Sequence, residues 1–193
     1  MKARESGMPD EQMWDQFFDP DFILKGLGIQ NLTGTIVDMG CGYGTFTVPA
    51  AQMNPGMIYA LDIENEMIVA TQEKAITAGL KNVHAVQRDF MTLGTGLPDD
   101  SCEYVMLFNI LHAEEPVKIL TEARRILQPR GRVAVIHWLH DAPTPRGPSL
   151  DIRPKPEQCI SWLSESHFKT DRRILEFPPY HYGLVGEKVQ KLG

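Results

Sequence analysis

Nine residues constrain this chain more than any other stretch. Ile36-Val37-Asp38-Met39-Gly40-Cys41-Gly42-Tyr43-Gly44 runs from an apolar strand-like segment, through one acid, into a turn with glycine at every second position. Glycines there permit positive φ and remove side chains, so a ligand can lie against the backbone. A helix following the turn points its N-terminus at that ligand and favours an anionic group. A strand, a glycine turn and a helix in that order form the opening unit of a parallel sheet with crossover helices.

The rest of the chain repeats the alternation. Two short helical pieces are expected first, from Pro9 to Phe18 and from Asp19-Pro20 through Lys25, the second stopped by Gly26 and Gly28. Strands are expected at Thr35–Met39, Met57–Leu61, Val83–Arg88, Tyr104–Phe108 and Arg132–Trp138. Helices are expected in Gly40–Met53 after the glycine turn, at about Asn65–Ala78 with Gly79 closing it, and from Pro116 to Leu127. Val117, Leu120, Ala123 and Leu127 fall at helical spacing in the last of these. Between Asp141 and Glu157 lie Pro143, Pro145, Pro148, Pro154 and Pro156, which mark a long irregular loop. A helix from about Pro156 to Ser166 follows. Two final strands, Arg172–Phe177 and Tyr180–Val189, flank Pro178-Pro179, and so short a connection requires an antiparallel pair.

With 193 residues, 42% of them hydrophobic, the chain suits a single α/β domain (1–193) and is too apolar throughout for disorder to dominate. No membrane span is expected, because the longest mostly apolar run, Val133 to Leu139, is far below the roughly 20 residues needed. The N-terminal segment has no apolar signal core, so export is not expected. A net charge of −6 disfavours a broad basic face for nucleic acid. Cys41, Cys102 and Cys159 are odd in number and far apart, which reads as a reducing cytoplasm.

Two further acids sit in register with Asp38. Asp62 ends strand two, where a carboxylate can accept hydrogen bonds from two ribose hydroxyls; a nicotinamide enzyme would use the same position, and a helix cap is the structural alternative. Asp89-Phe90 follows strand three. A dinucleotide-binding turn would need its third glycine at position 45, which is Thr45. The spacing G-x-G-x-G after an acid instead resembles motif one of the class I S-adenosylmethionine-dependent methyltransferases. Leu107-Phe108-Asn109-Ile110-Leu111-His112, Ile126-Leu127-Gln128-Pro129-Arg130-Gly131-Arg132 and Tyr180-His181-Tyr182-Gly183-Leu184-Val185 resemble further parts of that family, in its UbiE-like, type 11 branch. Cys102-Glu103 departs from the usual aromatic and Asp before strand four.

The resemblance covers about residues 35–188 and implies a Rossmann-like fold. Its seven-stranded, mostly parallel sheet runs in the order 3-2-1-4-5-7-6, with strand seven antiparallel and helices on both faces. Residues 1–31 would then be a helical lid, 32–138 the cofactor-binding core, 139–156 a substrate loop, and 157–193 a helix and strand pair. It further implies that Asp38, Gly40, Gly42, Tyr43, Asp62, Ile63, Asp89, Phe90 and Asn109 surround S-adenosylmethionine, with S-adenosylhomocysteine as product. Ligands of such sheets bind beyond the carboxyl ends of the parallel strands. Pro179 to Tyr182, His137 to Asp141 and the proline-rich loop are therefore expected on the active-site edge.

The implied activity is methyl transfer, by in-line displacement, to a small-molecule acceptor whose identity and atom the sequence does not name. A base is needed only if the acceptor must lose a proton. His112 and His181 are the candidates, each alternatively a packed histidine. Trp14, Phe17 and Phe18 form an aromatic stripe that is either core or lid. Arg146, Arg153 and Lys155, with Arg172 and Arg173, either bind an anion or form a solvated rim. No metal is expected: His137, His140 and Asp141 lie on an extended segment where positions three apart face opposite sides. A nicotinamide-dependent oxidoreductase, a noncatalytic cofactor-binding module and an RNA methyltransferase are the alternative readings.

Overall fold

The strand β1 (Ile36–Met39) lies at the centre of the sheet, with all four residues buried. Parallel neighbours pair with it on both sides: β2 (Ile58–Asp62) and β4 (Cys102–Phe108). A strand covered on both faces has no polar alternation, which is why it reads in the sequence as an unbroken apolar run. The computed structural model describes residues 10–189. Pro9, the expected start of the first helix, lies outside the described residues, as do the first and last few residues of the two terminal segments.

Beyond β2 lies β3 (Val83–Gln87), and beyond β4 lies β5 (Leu127–Trp138). The final strand β8 (His181–Lys188) runs antiparallel to β5, with Trp138 opposite His181 at one end and Arg132 opposite Glu187 at the other. From the β3 edge the order is β3-β2-β1-β4-β5-β8, as expected, and the outermost strand beyond β8 is in two pieces. β6 (Phe168–Lys169) and β7 (Leu175–Phe177) both pair antiparallel with β8. The expected strand Arg172–Phe177 is therefore shorter at its start. Arg172 has φ 61°, and its backbone N–H donates to Thr170 Oγ1 while that of Arg173 donates to Asp171 Oδ1. These side-chain turns break the strand.

Two cores form on the two faces, and the strands alternate between them with period two. Val37, Val105, Leu107, Val133 and Val135 face α6 (Pro116–Ile126) and α7 (Pro156–Glu165). Ile36, Tyr104, Met106, Ala134 and Ile136 face α2 (Pro20–Gly26) and α3 (Thr47–Met53). Each fully buried Leu or Ile in these layers contributes about 1.5–3 kcal/mol. α1 (Glu11–Asp15) is shorter than expected, capped by Asp10 accepting from the Met13 N–H at 3.0 Å. α4 (Asn65–Thr77) ends where Gly79 takes φ 70°. α5 (Phe90–Leu93), a single turn, lies where the sequence suggests only loop. Residues 128–131 bulge out of β5, so the expected turn before that strand lies within it.

Candidate active site

The carboxyl ends of β1, β2, β3, β4 and β5 surround a cleft of about 470 Å³, inside the range of roughly 300–1,000 Å³ usual for small-molecule sites. Asp38, Gly40, Gly42, Tyr43, Asp62, Ile63, Asp89, Phe90, Asn109 and His112 all line it. His181 does not. Its ring is buried, 4.2 Å from Trp138 and 4.4 Å from Phe18 between centroids, and burial with Arg153 nearby holds it down at about 3.

The glycine turn floors the cleft. Gly40, Gly42 and Gly44 take φ of 87°, 52° and 76°. A Cβ on Gly40 would stand 3.0 Å from Ile110 Cγ2, so the close approach of the β4 loop also needs glycine. The Gly40 and Cys41 N–H groups donate to Leu61 O, and Thr71 Oγ1 donates to Gly42 O at 2.9 Å. Asp62 braces the same turn: Oδ2 accepts from Gly42 N–H and Oδ1 from Glu64 N–H, both at 3.0 Å. Burial raises its carboxyl against those two bonds. Asp38 is buried behind the turn and accepts from Thr47 Oγ1 at 2.6 Å. Burial pushes it up to about 7, partly opposed by Thr47 and reinforced by Asp62.

Asp89 caps α5, its Oδ1 accepting from the Met91 and Thr92 N–H groups at 3.1 Å. It occupies the turn and the cleft lining at once. Asn109 has φ 57°, and neither its Oδ1 nor its Nδ2 has a hydrogen-bond partner although both are buried. A buried amide with donor and acceptor unused is costly unless a ligand completes it. His112 is 6% exposed, with Nδ1 3.3 Å from Nε2 of the fully buried His137.

α1 crosses over the glycine turn. Lys74 of α4 pairs with Glu11 at 2.5 Å, and Thr45 Oγ1 donates to Asp15 at 2.9 Å. Trp14 thereby lines the cleft, while Phe17 packs on Trp138 and Phe18 on Phe46. The aromatic stripe is thus divided: its first ring faces the cleft and the other two pack beneath. Trp138, whose ring meets that of Trp14 edge-on at 6.2 Å, lines the cleft together with Gly147 and Pro148. Arg153 is neither an exposed rim residue nor a cleft cation. Only 7% exposed, it donates to the carbonyls of Pro148, Leu139 and Ala142 and to Thr144 Oγ1, so it pins the proline-rich loop. Arg146, Lys155, Arg172 and Arg173 are exposed.

Trp138, in the segment His137 to Asp141 expected at this edge, and Ile110, in the segment ending at His112, both line the cleft; sequence reasoning did not single out Glu64 or Arg88. The pairing of β4 with β5, which brings Phe108 opposite Ile136, carries Trp138 to this edge. Acids dominate the lining: Asp38, Asp62, Glu64, Glu66, Asp89, Glu114 and Glu115 against Arg88. Arg88 is occupied, its guanidinium donating to the carbonyls of Leu93 and Gly94 at 2.8 Å. No group of three His, Cys, Asp or Glu side chains suited to a metal occurs among the described residues.

Comparison with known proteins places this geometry. A family model described as a methyltransferase domain matches residues 32–164. A demethylmenaquinone methyltransferase of Listeria monocytogenes serotype 4a is 30% identical over 116 residues, 58% of this chain and 48% of that protein. The aklanonic acid methyltransferase DauC of Streptomyces sp. strain C5 is 30% identical over 102 residues, 51% of this chain and 46% of its own. The chain therefore spans about half the length of these curated relatives. A SAM-dependent methyltransferase structure from Aquifex aeolicus superposes with a TM-score of 0.81 at 26% identity, covering 93% of this chain and 94% of that one.

Proposed function

The chain belongs to the methyltransferase-domain family of S-adenosylmethionine-dependent enzymes, and from that premise we propose that it methylates a neutral, ring-bearing small molecule. The observation that carries the acceptor class is the cleft itself, walled by Trp14, Phe46, Phe108 and Trp138 and lined by seven acids against one occupied arginine.

The residues fit the cofactor. Gly40 and Gly42 put no side chain between the turn's backbone and the cleft they line, so a ligand can approach that backbone closely. Each Asp62 oxygen holds one backbone N–H and keeps a lone-pair direction for a ribose hydroxyl. Asp89 and the Phe90 backbone take the adenine, with Ile63 and Tyr43 alongside. The unused amide of Asn109 offers both a donor and an acceptor to the amino-acid end. Bound there, S-adenosylmethionine supplies a sulfonium-activated methyl group, so the difficult chemistry belongs to the cofactor. The protein then has to align the acceptor and keep water out. Positioning of that kind is worth up to about 7–11 kcal/mol in favourable cases. Trp14 on α1 and the loop pinned by Arg153 meet at Trp138 and border the cleft, as a lid and a substrate loop would.

Charge selects among acceptors. An anion in this cleft meets acidic groups and no free cation among the lining residues, so phosphates, carboxylates and an RNA backbone are disfavoured. Of the two named relatives, one is named for a quinone and the other for an acid; the charge balance supports the former kind. The three cysteines are buried free thiols, which supports work in a reducing cytoplasm. Among the described residues no helix is long and apolar enough to cross a membrane.

Calorimetry with S-adenosylmethionine, S-adenosylhomocysteine and NADH tests the cofactor, and S-adenosylhomocysteine release over a naphthohydroquinone, a naphthoic acid and a short RNA tests the acceptor. The expected result is micromolar binding of the first two ligands, lost in Asp62→Ala, with turnover on the hydroquinone alone. NADH binding in their place overturns the proposal, and turnover confined to the acid or the RNA overturns the acceptor class.

A further inference from the structure

His112 stands just beyond the end of β4 and lines the cleft; His137, near the end of β5, is fully buried behind it. Their rings cross at 78°, with centroids 5.4 Å apart and His112 Nδ1 3.3 Å from His137 Nε2. Two imidazole nitrogens facing each other across an interior must share a single proton, because two N–H groups would collide and two lone pairs would repel. Around His137 the charged and titratable groups are Arg153 of the loop, His181 and Tyr182 of β8 and, beyond Tyr182, Cys159 of α7. None of these described residues is a carboxylate. The Tyr182 hydroxyl is turned away, donating to Pro154 O at 2.7 Å. Burial, with His112, His181 and Arg153 adding to it, holds the His137 ring well below the usual histidine range, so it is neutral at physiological pH. On the cleft side, Asp38, Glu114 and Glu115 line the same cavity as His112.

We propose that His137 is a positioning residue: its Nε2 accepts the Nδ1 proton of His112, which leaves the His112 Nε2 lone pair to take a proton from the acceptor. The inference rests on the methyl-transfer reading above. The arrangement is the one in which His112 works as a base. With His137 carrying its proton on Nδ1, protonation of His112 at Nε2 leaves the Nδ1–H to Nε2 bond in place and makes it charge-assisted. The reverse tautomer points the His137 N–H at His112 Nδ1, and His112 then can only donate from Nε2. For a hydroxyl acceptor, the O–H pair stays on oxygen for the new O–CH₃ bond, the C–S pair stays on sulfur, and the proton passes to His112 Nε2 and then to solvent after release.

The test is acceptor-free. Long-range ring proton–nitrogen correlation spectra of ¹⁵N-histidine-labelled protein, with S-adenosylhomocysteine bound, report which nitrogen of each ring is protonated; the His112→Gln and His137→Gln variants assign the two rings. The expected result is a neutral His137 and the Nδ1–H form of His112 in the wild type. His137→Phe removes the accepting nitrogen and returns His112 to the Nε2–H form that free histidine favours. His137→Gln, whose side-chain oxygen stands near the Nε2 position, retains Nδ1–H. Wild-type His112 protonated on Nε2, or a tautomer indifferent to His137→Phe, overturns the proposal, and the wild-type spectrum decides alone if the variants do not fold. S-adenosylmethionine affinity, measured alongside, is expected to stay within about twofold in both variants. Failure of the wild type to bind the cofactor would instead remove the methyl-transfer reading, whatever the tautomer.

Discussion

Asp38 shows how a single buried acid couples this site to pH. It is 2% exposed, has one hydroxyl donor, Thr47, and its carboxyl is raised from 3.8 to about 7, first by burial. The folded chain therefore holds a proton there that the unfolded chain has released, and folding stability falls as pH rises from about 4 through 7. The buried histidines act in the opposite sense but only at lower pH, since His137 and His181 are held neutral when folded and the unfolded rings take up protons below about 6.5. The window above pH 6.5 isolates the acids. Asp38→Asn keeps an oxygen for Thr47 and removes the titration. Urea denaturation between pH 6.5 and 8 should show stability declining in the wild type and a shallower decline in Asp38→Asn. Over the full range the Asp38 contribution is on the order of 4 kcal/mol at most. Equal slopes in the two proteins would mean that Asp38 is ionised when folded.

The elements that were legible in the sequence are those whose signal is local. β1 and β4 appear as apolar runs because each is covered on both faces, and Gly40, Gly79 and the prolines of α2 and α6 mark where helices begin and stop. α5 was not legible: four residues have no period, and its cap Asp89 looks the same as any turn acid. The divided edge strand was hidden because the turn between its pieces is made by the side chains of Thr170 and Asp171. Contacts set by strand register were the least visible. His137 meets His112 only because β4 and β5 pair as they do. Arg153 is a case of the same kind. As sequence it is one of several basic residues near prolines; in the fold it is the tie of a loop whose only regular piece is the turn at Leu150–Ile152. Its bonds to three carbonyls and a hydroxyl cannot be reproduced by an aliphatic chain. Arg153→Met should cost about 2–4 kcal/mol and speed trypsin cleavage after the exposed Arg146 by more than about tenfold. Affinity for S-adenosylmethionine should fall far less, because the loop supplies only Gly147 and Pro148 to the cleft. A cleavage rate unchanged by the substitution would show that the loop is held by its prolines and not by Arg153.

At the scale of the whole molecule the chain is acidic, at −6, and its cleft is more one-sided than its surface. The overall charge was legible from composition; the gathering of Asp38, Asp62, Glu64, Glu66, Asp89, Glu114 and Glu115 around one cavity was not, because it follows from five strand ends meeting at one edge. That gathering matters for the cofactor cycle. S-adenosylmethionine carries a net positive charge, and S-adenosylhomocysteine, having lost the sulfonium, carries none. A negative cleft attracts the first more than the second and so favours exchange of product for fresh cofactor. Exposed acids such as Glu114 and Glu115 act through solvent and are screened once the Debye length drops below about 10 Å, near 0.1 M salt. Raising salt from 20 to 500 mM should therefore weaken S-adenosylmethionine binding by about three- to tenfold while changing S-adenosylhomocysteine by less than about twofold. The double variant Glu114→Gln, Glu115→Gln should remove part of the difference without touching the glycine turn. Equal salt dependence for the two ligands would locate the preference for the charged cofactor in the buried Asp38 and half-buried Asp62, which salt screens less.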